Sequence, residues 1–309
     1  MASETADSRT MLRKAVSAAV VVLAGAGLGF VLFARPQGGS PPGQPTDAAL
    51  QGLTSVAMDA KDNLYVGGRF GVKVFSPDGT PLREWKTPEP VCALAVDEGG
   101  QVYAGYRARV EKFDAQGVSL LRWGRGGCDK DEFGLITGVA AGGGNVFVAD
   151  AGARIVYRFR EDGQPVNDIG SKEKDPDGLG IILPTPFLDC AVEGGVLLVN
   201  NPGRKRVEEY DFEGKRLRFW GKSGWADDEF PGCCNPTNVA AMSGGRVAVS
   251  EKGTPRVKVF DRDGRLLKVL GSEVFSPESK GIDLAVDSKG RIHAVDPVAG
   301  CVRVFEFEE

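Results

Sequence analysis

From Leu53 to Glu309 short runs of alternating apolar and polar residues recur as a set. Six segments open it: TSVAMD at Thr54, CALAVD at Cys92, TGVAA at Thr137, LDCAVE at Leu188, TNVAA at Thr237 and IDLAVD at Ile282. They start 38, 45, 51, 49 and 45 residues apart. A second run follows each: NLYVGG, QVYAGY, NVFVAD, VLLVNN, RVAVSE and RIHAVD. Then comes a third, such as GVKVFSPDG or RVEEYDFEG, and in most units a fourth, such as SLLRWG or RLLKVLG. Alternation with period two predicts half-buried strands. The D-x-x-G and D-G pairs after the third run predict turns, because Asp bonds its own backbone and Gly supplies positive φ. Four-stranded units of about 40 to 50 residues predict propeller blades, and six of them predict an all-β, six-bladed β-propeller. The last unit stops after its third run, so its outer strand is expected from Asp47 to Gln51.

The pattern changes before the repeats. Ala15 to Ala34 is an uncharged run of 20 residues. At about 1.5 Å per residue, a helix of that length spans roughly 30 Å, the thickness of a hydrocarbon core. Arg9, Arg13 and Lys14 precede it, and after Arg35 the next basic residue is Lys61. This predicts a transmembrane helix with a cytoplasmic N-terminus and an extracytoplasmic body. A cleaved signal peptide is the competing reading, but Leu32-Phe33-Ala34 lacks the small-x-small pattern and Pro36 follows. PQGGSPPGQPT, residues 36–46, predicts an extended tether. The expected organisation is a cytoplasmic tail at 1–14, a transmembrane helix at 15–34, a linker at 35–46 and the propeller at 47–309.

The recurring G-V-A-V-D, V-x-V-x-D and R-V-x-V-F-D-x-x-G patterns resemble the NHL repeat, from Leu53 to Glu309. The resemblance implies a six-bladed propeller whose inner strands line a central channel. It is nearly silent on activity.

Composition narrows the chemistry. A net charge of −4 gives no global basic field, so nucleic acid is not an expected partner. The single histidine, His293, argues against sites needing two or three. The amidating lyases of NHL type hold zinc with several histidines, which this chain lacks. The six cysteines form no C-x-x-C pair, and the propeller has no G-x-S-x-G elbow or Walker loop.

Four features remain as candidates. Asp189, Asn238 and Asp283 share one repeat position in consecutive units, an oxygen-rich set of the kind that takes a divalent cation such as Ca²⁺. Lactonase-type propellers hold a divalent ion in this region with acid and amide side chains. Their further Glu and charged base find no residue-by-residue match here. Cys233 and Cys234 are adjacent, with Cys92 the candidate neighbour, as a disulfide, soft-metal or redox cluster. Arg69, Arg107, Arg109, Arg154, Arg204, Lys205, Arg206 and Arg256 could ring a binding face, or bond carbonyls and acids between blades. Two entering loops, WGRGGCDKDEF at Trp123 and WGKSGWADDEF at Trp220, share an acidic pair before a Phe expected to pack between blades. The reading these residues favour is a membrane-anchored extracytoplasmic scaffold for a protein or glycan partner. The alternative is a divalent-metal-dependent, lactonase-like hydrolase with its site in the channel.

Overall fold

The computed structural model describes residues 19–25, 28–34, 52–127 and 132–307. Six antiparallel sheets stand around a channel. The innermost strands are Leu53–Met58, Ala93–Val96, Ile136–Gly142, Cys190–Glu193, Asn238–Met242 and Leu284–Val286. Each packs against the inner strand of the next blade, and blade six packs back onto blade one, so the ring closes. Among the described residues, blades one to five have four strands and blade six has three. The turn glycines of the D-x-x-G pairs, Gly79, Gly117, Gly214 and Gly264, sit at φ between 77° and 90°, where a side chain is strained.

Burial departs from the expected alternation in the second strand of each blade. Asn145–Asp150 and Leu64–Gly68 are buried at every position. Blades stack face to face, so both faces of that strand meet a neighbour. Polar slots that would face water in a lone sheet are covered: Asp150, Asn200, Asn201, Ser250, Glu251 and Asp296 are all fully buried. Outer strands such as Pro81–Trp85 and Ser119–Trp123 line the circumference and keep exposed positions.

The segment expected as a transmembrane helix is described differently. Ala19–Gly25 and Leu28–Ala34 are two strands paired antiparallel, and the first lies against Cys301–Phe305 of blade six. No helix among the described residues is long and apolar enough to cross a membrane. Two properties favour strands here. Val20, Val21, Val22 and Val31 are β-branched, while Gly25, Gly27 and Gly29 weaken a helix. Among the described residues, the third strand of blade six also has no outer strand of its own blade, which leaves an edge beside this pair. The tail at 1–14, the linker at 35–46 and the expected closing strand at Asp47 to Gln51 lie outside the described residues.

Buried polar groups hold the turns that enter the channel. The Asp150 carboxylate accepts N–H bonds from Gly134, Leu135, Gly152 and Ala153, at 2.8 to 3.1 Å. Asp150→Ala would orphan these donors together. We expect a loss of about 3 kcal/mol, read in urea melts, against a negligible change for Leu120→Ala on the exposed outer strand.

Candidate functional site at the channel mouth

The second position of each opening segment of the repeat lies opposite the end of that blade's second strand. Ser55 pairs with Gly67, Ala93 with Gly105, Gly138 with Ala149 and Asn238 with Ser250. Asp189 and Asp283 stand one residue before the paired stretches of blades four and six. These positions mark the entrance of a cavity of about 200 Å³ that runs down the inner strands.

Asp189, Asn238 and Asp283 do converge. Asn238, in blade five, stands between the carboxyls of Asp189 in blade four and Asp283 in blade six and favours their charged forms. Each acid also reaches forward to the next blade. Val239 N–H donates to Asp189 Oδ2 at 3.0 Å, and Val56 N–H donates to Asp283 Oδ2 at 2.9 Å. Ser55 extends the chain: its hydroxyl donates to Asp283 Oδ2 at 2.6 Å and accepts from Leu94 N–H at 2.8 Å. Gly138 leaves room for this, since a Cβ there would stand 2.5 Å from Asp189 Oδ1. The sequence did not single out Ser55 or Asn200 as site residues. Asn200 Oδ1 accepts from Asp189 N–H at 2.7 Å, and its amide donates to Pro236 O and Thr237 O. Only its place at the end of a buried strand, next to another Asn, could have marked it.

The donor set does not fit a Ca²⁺ ion, which takes six to eight oxygens. Asp283 Oδ1 accepts from Leu284 N–H at 2.9 Å and its Oδ2 already takes two donors. Asp189 Oδ2 is also taken, and Asn238 Oδ1 accepts from Ser250 Oγ at 3.4 Å, which turns the nitrogen of the amide toward the acids. What remains is a hydrogen-bonded belt. Both acids are buried, which raises their protonation above the ordinary carboxylate range. Burial, offset by the bonds from Ser55, Val56 and Leu284 and by Asn238, brings Asp283 to about 6. Asp189 is pushed up well beyond its usual value by burial and then by the Asp283 charge.

Cys92 does not join the other cysteines. It precedes the inner strand of blade two, whereas Cys233 and Cys234 precede that of blade five, and in a ring of six these blades are opposite. Cys92 Sγ points to Pro90 O at 3.9 Å. Cys233 is exposed, Cys234 is buried, and their sulfurs are 2.6 Å apart.

Most of the expected basic face is paired within the fold. Arg109 meets Glu89 at 3.3 Å, Arg204 meets Asp175 at 2.9 Å, and Arg206 Nε meets Glu208 at 2.6 Å. Arg256 bonds buried Glu251 at 2.6 Å and Asp227 at 2.9 Å. Glu251 also holds the fully buried Lys258 at 2.9 Å. Lys205 Nζ donates to Pro202 O at 2.9 Å. Arg69, Arg107 and Arg154 contribute backbone bonds: Arg69 N–H to Gly52 O, Ile136 N–H to Arg107 O, and Arg154 N–H to Asp150 O. An arginine spent on a buried carboxylate is not available to a partner, because breaking such a pair leaves a buried charge.

The two long entering loops share one geometry. Gly126 bridges Phe133 and Ser223 bridges Phe230. Both Phe rings are buried between blades. The acids before them are tied locally, Glu132 to Arg125 at 2.9 Å and Glu229 to Ala226 N–H at 2.9 Å. The blade-five loop differs in one respect: Trp225 stands 84% exposed. The opposite mouth of the channel is acidic, with Asp59, Asp97 and Asp287 at its rim. They cap their own turns. Asp97 Oδ1 accepts from Gln101 N–H at 2.8 Å, and Asp287 takes Arg291 and His293. Burial would raise Asp287, but bonds from His293 and Arg291 hold it at about 2. The lone histidine is thus a partner of a turn carboxylate.

No protein-family model and no curated protein matches the sequence. Solved structures do match the fold. A gluconolactonase of Xanthomonas campestris is 19% identical, with 96% of this chain and 98% of that chain covered at a TM-score of 0.61. The WD40 propeller domain of Doa1 is 14% identical, with 94% and 90% covered and a TM-score of 0.60. Virginiamycin B lyase of Staphylococcus aureus is 11% identical, with 84% and 97% covered and a TM-score of 0.59. These likenesses show a shared propeller fold.

The acid pair makes stability depend on pH with a definite sign. Asp283 binds its proton more tightly folded than unfolded. Its contribution is therefore complete below the ordinary carboxylate value and is lost as pH rises through about 6. The size is of the order of 2–3 kcal/mol. Asp283→Asn is expected to flatten the fall in melting temperature between pH 4.5 and 7.5. Equal slopes in wild type and variant would show that Asp283 titrates as an ordinary carboxylate.

Proposed function

We propose that this protein is a membrane-attached, extracytoplasmic NHL-type propeller that acts as a docking scaffold, with its binding surface on the face carrying the blade-five entering loop. The observation that carries the reading is Trp225. A tryptophan 84% exposed on a loop costs hydrophobic free energy, and the neighbouring Phe230 already supplies the packing between blades. The loop is held by the bond from Ala226 N–H to Glu229 and by Phe230 N–H to Lys222 O, so the indole is presented on a braced platform. Exposed, pre-positioned Trp side chains are frequent anchors of protein interfaces. A protein or glycan face with a shallow apolar pocket suits it.

Hydrolysis of a lactone or ester in the channel is the second reading. It rests on two buried carboxyls with raised protonation facing one cavity beside Ser55. A metal-free acid–base pair suits that chemistry better than a divalent ion, because the oxygens are already hydrogen-bonded.

Membrane attachment is read from the sequence alone, from the uncharged run at 15–34 and the basic residues before it, and requires that run to leave the strand pair it forms beside blade six. The full-length protein is expected in the carbonate-resistant membrane pellet, and deletion of 15–34 is expected to release it. Full-length protein in the supernatant would remove attachment from the reading.

Full-length protein should recover a specific partner after in-cell crosslinking, and Trp225→Ala should cut recovery at least about tenfold with an unchanged melting temperature, in line with hot-spot losses. Equal recovery by the variant, or turnover of a lactone abolished by Asp189→Asn, would favour the channel instead.

A further inference from the structure

The segment Gly232-Cys233-Cys234-Asn235-Pro236 enters blade five at the channel mouth, and neither the scaffold nor the acid belt uses its sulfurs. Cys233 Sγ and Cys234 Sγ are 2.6 Å apart, well inside ordinary contact between unbonded sulfurs. One sulfur faces solvent and the other is buried, at 1% exposure. The buried one has a polar cradle. Thr185 and Lys252 both lie beside the Cys234 sulfur and favour its thiolate. Lys252 Nζ is itself oriented by Thr185 Oγ1 at 3.1 Å and lies over the Phe187 ring at 5.0 Å from its centroid. Lys205 faces the same pair of sulfurs from the turn between the second and third strands of blade four.

The backbone of the loop is also fixed. Asn235 Nδ2 donates to Pro231 O at 2.9 Å and to Lys252 O at 3.0 Å, while Lys252 N–H donates to Asn235 Oδ1 at 2.9 Å. A buried side chain thus clamps both ends of the cysteine pair and places the lysine beside it.

Among the described cysteines the other three are set up differently. Cys190 and Cys301 are buried in apolar surroundings, and burial pushes both thiols up. Cys92 is also raised, by burial and then by Glu89. For Cys234, burial acts in the same direction but is outweighed by the neighbouring Cys233, Thr185 and Lys252 and by the lysine's charge, so its thiol lies below the ordinary value. Thiolate character beside a cation is the setting of reactive cysteines, whereas apolar burial makes them inert.

We propose that Cys233 and Cys234 are a redox-active vicinal dithiol, with Cys233 the residue that meets an external disulfide, Cys234 the resolving thiolate, and Lys252 the positioning residue. The oxidant is a low-molecular-weight or protein disulfide, R–S–S–R. Cys233 as thiolate attacks one of its sulfurs, a Cys233–S–R bond forms, the R–S–S–R bond breaks and one R–S⁻ leaves. Cys234 as thiolate then attacks Cys233 Sγ. The Cys233–Cys234 bond forms, the Cys233–S–R bond breaks and a second R–S⁻ leaves. Two protons pass to the two released thiols, two cysteine thiols are oxidised, and one external disulfide is reduced. The site reports to the channel. Pro236 O and Thr237 O accept from the Asn200 amide, whose oxygen holds Asp189 N–H.

The test uses full-length protein in detergent, equilibrated with reduced or oxidised glutathione, then denatured, alkylated and digested with trypsin. Cleavage after Lys222 and Arg246 isolates Cys233 and Cys234 in one peptide, 223–246, with no other cysteine. After oxidised glutathione, wild type should give that peptide two hydrogens lighter and without alkyl groups, while Cys190 and Cys301 are alkylated. Cys234→Ser should instead retain glutathione on Cys233. Lys252→Met should slow closure about tenfold, because the cation that favours the Cys234 thiolate is lost, and Lys252→Arg should restore most of the rate. Circular dichroism confirms that each variant is folded. Two alkyl groups on the peptide after oxidation, a bond from either sulfur to another cysteine, or unchanged kinetics in Lys252→Met would overturn the proposal.

Discussion

No backbone ladder joins one blade to the next, and every other property of this propeller follows from how that gap is bridged. Within a blade the strands share main-chain hydrogen bonds. Between blades the inner strands are joined by side-chain bonds and by isolated backbone bonds such as Ile136 N–H to Arg107 O at 2.8 Å. Thr54 Oγ1 donates to Val91 O at 2.6 Å and Thr137 Oγ1 to Leu188 O at 2.7 Å. Ser55, Asp189 and Asp283 each accept an N–H from the following blade. The last of these joins blade six to blade one and closes the ring. A carboxylate in that place does two jobs. It staples the ring, and its buried charge makes the staple sensitive to protonation.

Face-to-face stacking has an electrostatic cost that the structure meets with paired charges. Covering both faces of the second and third strands buries Glu111, Glu208, Glu251, Asp150 and Asp296. Each is matched with arginine, lysine, hydroxyl or backbone donors, as in the bond from Arg122 to Glu111 at 2.6 Å and from Arg303 to Asp296 at 2.8 Å. An unmatched carboxylate there would be strongly destabilising. This is why the recurring arginines of the third strand are part of the architecture and leave little positive charge for a ligand. The features that packing does not consume lie on one loop of blade five: an exposed indole and a solvent-facing thiol backed by a buried one.

The repeat was legible in the sequence because period-two alternation and D-x-x-G turns are local, and six copies at a nearly regular spacing admit few folds. The alignment also brought Asp189, Asn238 and Asp283 to one position, and the fold joins them. Their chemistry depended on tertiary structure. Whether an Asn turns its oxygen or its nitrogen toward two acids is decided by a donor on the neighbouring strand. The reach of Ser55 to Asp283, across 228 residues of chain, leaves no local trace. Ring geometry likewise set Cys92 across the channel from Cys233 and Cys234, although all three occupy entering loops. The apolar run at 15–34 carried a length signal for a helix, while the valines and glycines within it and the edge of blade six favour the strands described. By itself the sequence determined the repeat, the blade count and the adjacency of two cysteines, because these are properties of neighbours in the chain. Only the tertiary structure decided which charges are spent, which sulfur is buried beside Lys252, and which aromatic faces water, because burial depends on what the next blade covers.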